Sequence, residues 1–345
     1  MTNEEAIRTS YLESGGPLPL VIQPKESSFD LVTWTMSSRD YIEAQLLKHG
    51  AILFRDFNIT SAVAFEKVAR ALVPELFEYN ERSSPRSEIS TGIYTSTNHP
   101  ANQSIRFHNE HSYSHKWPMK IWFFCLQPAT QGGATPIADG RKVLQLIDPK
   151  IRKRFIEKRV KYVRNYGDGF GLPWQAAFQT TNKSAVDEYC RKAGIETFWR
   201  EGDRLRTTQI FRTIIPHQGT GEMVWFEHTA FFHITTLDPK LCEAFLADYK
   251  EEDLPFNTYY GDGSPLELSV LEEIREAYRQ AAVSFQWRAK DVLLIDNVLT
   301  SHSREPYSGP RIVLVAMGDI FFADNVNDEV ILACVKESVA AAPAG

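Results

Sequence analysis

The sequence predicts a mainly β chain with helices inserted between its strands, folded as one unit over residues 1–345. Three observations predict it. Short apolar runs recur along the chain, at Ala51 to Phe54, Met119 to Leu126, Asp291 to Asp296 and Arg311 to Met317. Their lengths suit strands, and the second is apolar on both faces, as a buried strand is. Turn residues punctuate them, Gln131-Gly132-Gly133 and Tyr307-Ser308-Gly309-Pro310 most clearly. Finally, 345 residues with 43% hydrophobic supply a large core, and β barrels with insertions run this long as single domains.

Residues 1–28 are polar, broken by Pro and Gly, and read as a loosely packed lead-in. Tyr41 to His49 reads as a short helix stopped by Gly50. Ser61 to Leu72 has apolar residues at helical spacing, with Ser61 placed as its N-cap. Asn80 to Pro100, rich in Ser and Pro, reads as a loop. Lys150 to Arg164 reads as one basic helix. Residues 165–285 form an insertion-rich region within the barrel. Short strands there (Thr207 to Ile215, Met223 to Phe226) alternate with helices (Ser184 to Ala193, Pro239 to Tyr249, Glu267 to Ala282). The last two strands, Asp291 to Asp296 and Arg311 to Met317, are expected to be antiparallel neighbours with His302 in their connection. Residues 339–345 read as a frayed tail.

The net charge of −6 and pI of about 5.9 supply no basic face for nucleic acid. No apolar run approaches the ~20 residues of a membrane span. The first residues, Met1-Thr2-Asn3-Glu4-Glu5, are polar and acidic, unlike a secretory signal. Cys125, Cys190, Cys242 and Cys334 are scattered, with no C-x-x-C pair, which fits a reducing cytoplasm.

The chemistry centres on His108-Asn109-Glu110 and the distant His302. Two His and one carboxylate on one face of an octahedral ion leave three positions open, the arrangement of non-haem Fe(II) oxygenases. With nine His and 44 acids in the chain, an H-x-acid match arises about once by chance. Zinc accepts the same donors, and a zinc hydrolase would then want an activated water and a separate base. No H-E-x-x-H occurs. His111, His115, His217 and His233 compete as ligands but lack a spaced carboxylate.

Several segments together resemble the TauD/TfdA-like Fe(II)/2-oxoglutarate dioxygenases. They are Phe107 to Tyr113, Gly132-Gly133-Ala134-Thr135-Pro136-Ile137-Ala138-Asp139, Asp291 to Asn297, His302-Ser303-Arg304 and Gly309-Pro310-Arg311. The likeness runs from about Gly50 to Asp319 and is greatest to the SyrP-like and clavaminate-synthase-like branch. It implies a double-stranded β-helix (jelly-roll) core with helical insertions, and an iron site at the barrel mouth. It implies His108, Glu110 and His302 as iron ligands, Thr135 as a contact to 2-oxoglutarate, and Arg311 as the partner of that cosubstrate's far carboxylate. A guanidinium grips a carboxylate bidentately. Arg304, nearer to His302, is the competing candidate.

The resemblance further implies oxidation of an unactivated C–H, with O2 and 2-oxoglutarate consumed and succinate released. Halogenating relatives have a small residue at the carboxylate position; Glu110 therefore points to hydroxylation or desaturation. The implied substrate is an amino acid or a derivative of one, free or tethered to a carrier protein, in natural-product biosynthesis. A zinc hydrolase and a non-catalytic binding relative on the same barrel remain the alternatives. Asn109, Glu227, His228, Trp174 and Arg304 are substrate-contact candidates. Glu227-His228 stands where relatives carry an amide pair, and Ala134 where an acid is common. Glu227 reads either as a receptor for a substrate amine or as a satisfied polar group. Trp174, Phe178 and Trp225 read equally as pocket lining or core. The basic run from Arg152 to Arg164 reads as a solvated helix face or a dock for an acidic carrier.

Overall fold

The computed structural model describes residues 5–12, 16–26, 29–77, 81, 86–167, 169, 171–326 and 331. The tail at 339–345 lies outside them, as do parts of the lead-in and of the Asn80 to Pro100 segment.

Ser61 accepts a hydrogen bond from Ala64 N at 3.1 Å and so opens the helix Ala62–Leu72. Gly50, at φ +74, ends the helix Arg39–His49, and a Cβ there would meet Thr300 Oγ1 at 2.5 Å. Glycine is therefore required both by the left-handed turn and by the approach of a neighbouring strand.

Eight strands form the main sheet, in the order Ile7–Ser10, Leu20–Pro24, Ala51–Phe54, Val292–Asp296, Lys116–Gln127, Ile312–Phe322, Ile93–Thr95, Glu88–Ser90. Their side chains alternate in direction, as the two-residue period of a strand demands. Trp122, Phe124, Val292, Leu294, Leu314 and Ala316 pack under the helices Leu31–Ser37, Arg39–His49 and Ala62–Leu72. Their neighbours Ile121, Phe123, Leu293, Ile295, Val313 and Val315 pack on the opposite face, with Ile137 of a second sheet. That second sheet has four strands in the order Ala282–Val283, Ile137–Asp139, Thr300–Arg304, Ile105–His108. Its far side is covered by the helices Gly140–Leu146, Pro149–Lys158 and Leu268–Ala281. The insertion forms a third sheet, Glu196–Arg200, Arg204–Phe211, Val160–Tyr166, Phe256–Tyr260.

Three expectations are corrected. The lead-in is not loose: Leu20–Pro24 pairs in parallel with Ala51–Phe54 and carries Ile7–Ser10 on its other edge. The last two strands are not neighbours, because Lys116–Gln127 lies between them and pairs antiparallel with both. The chain between them leaves the sheet to form Thr300–Arg304 in the opposite one. The basic helix ends at Lys158; Arg159 turns at φ +61, and Val160–Tyr166 becomes a strand paired on both sides. Val160 and Tyr162 bury themselves against the second sheet's helices, and two ladders of backbone bonds outweigh a helical spacing of charges.

Arg55 and Asp291 form a buried bidentate pair, Nε–Oδ1 3.0 Å and Nη2–Oδ2 2.7 Å, that joins the strand ends of Ala51–Phe54 and Val292–Asp296. Their side chains are 10% and 1% exposed. Replacing Arg55 by Leu leaves Asp291 buried without its counter-ion, an expected loss of about 3–5 kcal/mol. Urea unfolding would show it as a lowered midpoint at unchanged slope, with part regained in Arg55→Leu/Asp291→Leu.

Candidate metal centre and cosubstrate pocket

His108 is the last residue of Ile105–His108, and strand register sets it opposite His302 on Thr300–Arg304. The two rings lie 4.4 Å apart by centroid. Glu110 follows in a turn. That turn is held by Asn297, whose Oδ1 accepts Glu110 N at 2.8 Å while its Nδ2 donates to the Glu110 and Pro118 carbonyls at 2.9 Å each. One ligand atom from each of His108, Glu110 and His302 can be chosen with all three within 4.8 Å of one another, and all three residues are buried.

The donors are in the protonation states that a divalent ion requires. Burial lowers the pKa of His108 and holds that of His302 well below the usual imidazole value. Burial alone would raise the Glu110 carboxyl, but the Arg86 guanidinium, together with His111, His108 and His302, holds the pKa well below the carboxylate range. His108 Nδ1 lies 2.8 Å from the Arg106 carbonyl, which fixes that nitrogen as the N–H and leaves the Nε2 lone pair for a metal. His302 Nδ1 is buried without a partner among the described residues. The set fits Fe(II).

The three side chains open onto a pocket of about 660 Å³, its mouth included, walled by Ile105, Phe123, Phe231 and His228. Thr135 and Arg311 lie in the same pocket. Thr135 Oγ1 is 3.0 Å from Trp287 Nε1 and 3.4 Å from Arg311 Nη2. Arg311 Nε donates to the Gly133 carbonyl at 3.0 Å. A Cβ on Gly133, at φ +72, would come within 3.0 Å of the Arg311 side chain, so glycine admits the arginine. Burial, with Arg304 nearby, pushes Arg311 down to about 10, still a cation at neutral pH. Arg304 spends its guanidinium on the carbonyls of His99, Pro100 and Gln103. It staples a loop, which leaves Arg311 the better anion receptor.

The other candidates divide. His228 lines the pocket edge-on to His108, ring centroids 4.9 Å apart. It is outside the metal cluster, as are His111, His115, His217 and His233. Asn109 does not line the pocket: its Nδ2 donates to the Asn297 carbonyl at 2.7 Å and its Oδ1 accepts Glu227 N at 3.2 Å. Glu227 is 0% exposed and also faces away from the pocket. It accepts from Thr229 N, from Ala230 N at 3.1 Å and from the Tyr278 hydroxyl at 3.1 Å, capping the helix Thr229–Phe232. Trp174 belongs to a separate core with Tyr166 and Leu205, and Phe178 packs against that core. Trp225 is buried against Phe155. Arg86 was missed; it is one of two arginines, with Arg82, in a Ser- and Pro-rich stretch, and no spacing points it at Glu110.

Glu227 therefore behaves as a structural acid. Burial raises its pKa against the pull of its hydrogen bonds. The folded chain then holds a proton at pH values where the unfolded chain has lost it. This group's penalty is largest at high pH and is relieved as pH falls through the folded pKa. Glu227→Gln should keep the fold and lose that pH dependence. Glu227→Ala should cost about 2–4 kcal/mol by stranding buried donors. Denaturant unfolding at several pH values measures both.

Among the described residues no helix is long and apolar enough to cross a membrane. Residues 14–317 match the family described as "Taurine catabolism dioxygenase TauD, TfdA family". The chain is 40% identical over 278 residues to the dapdiamide synthesis protein DdaC of Enterobacter agglomerans, covering 81% of this chain and 84% of that one. It is 27% identical over 319 residues to a clavaminate synthase-like protein of Arabidopsis thaliana, covering 87% and 93%. Among solved structures it is similar to PvcB, described as an Fe, alpha-ketoglutarate dependent oxygenase from an isonitrile synthetic pathway. There the TM-score is 0.55 at 14% identity, covering 93% of this chain and 96% of that one. These likenesses do not favour a zinc hydrolase or a binding-only relative. The chain belongs to the TauD, TfdA family of Fe(II)/2-oxoglutarate-dependent dioxygenases.

Proposed function

We propose that His108, Glu110 and His302 hold the Fe(II) of this dioxygenase, that Thr135 and Arg311 hold its 2-oxoglutarate, and that it hydroxylates or desaturates an amino-acid-derived substrate. The observation that carries the reading is the convergence, in one pocket, of a buried two-His, one-carboxylate set with the half-buried Arg311. Bound iron supplies, with 2-oxoglutarate and O2, the oxidant for an unactivated C–H bond. The chain's own residues do the positioning. Neutral imidazoles offer lone pairs and Glu110 a charge. Arg311 receives a carboxylate, while Thr135 adds a hydroxyl pinned by Trp287. Phe123, Phe231 and Ile105 keep water from the reacting carbon.

The relative named for dapdiamide synthesis supports a natural-product substrate built from amino acids. Two facing antiparallel-rich sheets with the site between them support a jelly-roll winding of the core. Two charges of the basic helix are already engaged, Arg154 with Glu267 at 2.5 Å and Lys158 with Asp262 at 2.8 Å. That favours a free small-molecule substrate over one docked through this face by an acidic carrier. Cys125, Cys190 and Cys242 are free thiols, in keeping with work in a reducing cytoplasm.

Anaerobic addition of Fe(II) and 2-oxoglutarate to the wild-type chain should give a visible charge-transfer band. His108→Ala, Glu110→Ala and His302→Ala should each abolish it, and a band that survives them would overturn the ligand assignment. With O2 and a panel of amino acids and derivatives, mass spectrometry should find a product heavier by one oxygen or lighter by two hydrogens. Arg311→Lys should raise the KM for 2-oxoglutarate by about 10-fold or more, with a smaller change in kcat, because a point charge replaces a fork.

A further inference from the structure

Arg86 enters the pocket from the stretch that leads to Glu88–Ser90 and meets the carboxylate of the metal-binding set. Its Nη2 donates to Glu110 Oε2 at 2.8 Å, with the two side chains 7% and 4% exposed. The same oxygen lies 3.9 Å from His108 Nε2, while Oε1 lies 4.0 Å from His111 Nε2. The two oxygens thus face different histidines, one a member of the metal set and one outside it. The backbone of Glu110 is already locked by Asn297. What remains free is side-chain rotation, and Arg86 stops it.

The pocket's other arginines have separate tasks. Arg304 is bound to three carbonyls, and Arg311 sits beside Thr135 and Gly133. Upstream of Arg86 the chain is anchored by Glu81, buried against Ser114 Oγ at 2.6 Å and Tyr189 Oη at 3.0 Å.

We propose that Arg86 is a positioning residue of the metal centre: it holds Glu110 so that a single oxygen, Oε2, meets the ion. The proposal rests on the iron-site reading above. A carboxylate free to swing could take two positions on the ion, and a three-residue set serves this chemistry only if three positions stay open. A charge-assisted bond from a planar guanidinium is both strong and directional, and such partners set how a ligating carboxylate is presented. Lysine would keep the charge and lose the geometry.

The test compares the full wild-type chain with Arg86→Gln and Arg86→Lys, without O2. Co(II) titration gives the metal affinity and the coordination-sensitive absorption; Fe(II) with 2-oxoglutarate gives the charge-transfer band. Arg86→Gln should weaken Co(II) binding by about 10–100-fold and shift both spectra, while the metal-free chain melts lower because the buried Glu110 loses its counter-ion. Arg86→Lys should recover affinity in part but keep a shifted spectrum. If both variants match the wild type in affinity and spectra, the proposal is overturned, and a turnover loss in them would assign Arg86 to the substrate instead. Should Arg86→Gln fail to fold, an unshifted Arg86→Lys is enough to overturn it. A wild-type chain that gives no band with Fe(II) and 2-oxoglutarate overturns the function reading and this proposal with it; a wild-type band with unshifted variants overturns the proposal alone.

Discussion

A single buried amide organises the centre of this molecule. Asn297 accepts the Glu110 N–H, donates to the carbonyls of Glu110 and Pro118, and receives the Asn109 side chain on its own carbonyl. Its backbone N–H goes to the Met119 carbonyl. The residue is fully buried, so each of these bonds replaces water that has no access. Through it the turn bearing Glu110, the long central strand and the connection to His302 are tied at one point. Asp296 adds to this by accepting Val298 N and Leu299 N at 2.9 Å each, which sets the chain's exit toward the second sheet. Strand register does the rest by placing His302 opposite His108.

Such a network is rigid because it is satisfied, and a satisfied buried polar network specifies one arrangement. It also explains why the apolar layers are so unequal in character. The face of the main sheet under the helices is packed with stacked and edge-on aromatics, Phe65 against Phe124 at 5.2 Å and Trp34 against Phe54 at 6.4 Å. The inner face gives up part of its area to the polar side chains of the candidate site, and Phe123 packs directly on the His302 ring at 5.1 Å. The outer layer supplies stability while the inner layer supplies chemistry.

The sequence made the strands and the candidate site legible for different reasons. Apolar runs such as Met119 to Leu126 announce a strand buried on both faces, whatever it pairs with. They do not announce the order of strands, since Val292–Asp296 and Ile312–Phe322 carry the same kind of pattern and either could have paired with the other. His108, Glu110, His302, Thr135 and Arg311 stood out because five matching segments occurred in order. Glu227, Asn109 and Trp174 carry side chains suited to substrate contact, and only burial and partners reveal them as a helix cap, a turn clamp and a core ring. Arg86 was invisible for the opposite reason: no spacing rule links it to Glu110, and the contact exists only after the chain has folded back.

The two N-terminal strands have a consequence for how the molecule avoids its own kind. Ala51–Phe54 is wholly buried and apolar, and Leu20–Pro24 covers its outer edge in parallel register. Beyond it, Ile7–Ser10 presents one buried residue and three exposed polar ones, Arg8 among them. An uncovered apolar edge is a template for adding strands from other chains. The strands Ile7–Ser10 and Leu20–Pro24 thus act as a selvedge, giving this edge of the sheet a polar border that carries Arg8. A shortened chain that began after them would expose an adhesive strand far from the candidate site, and self-association would follow before any change there.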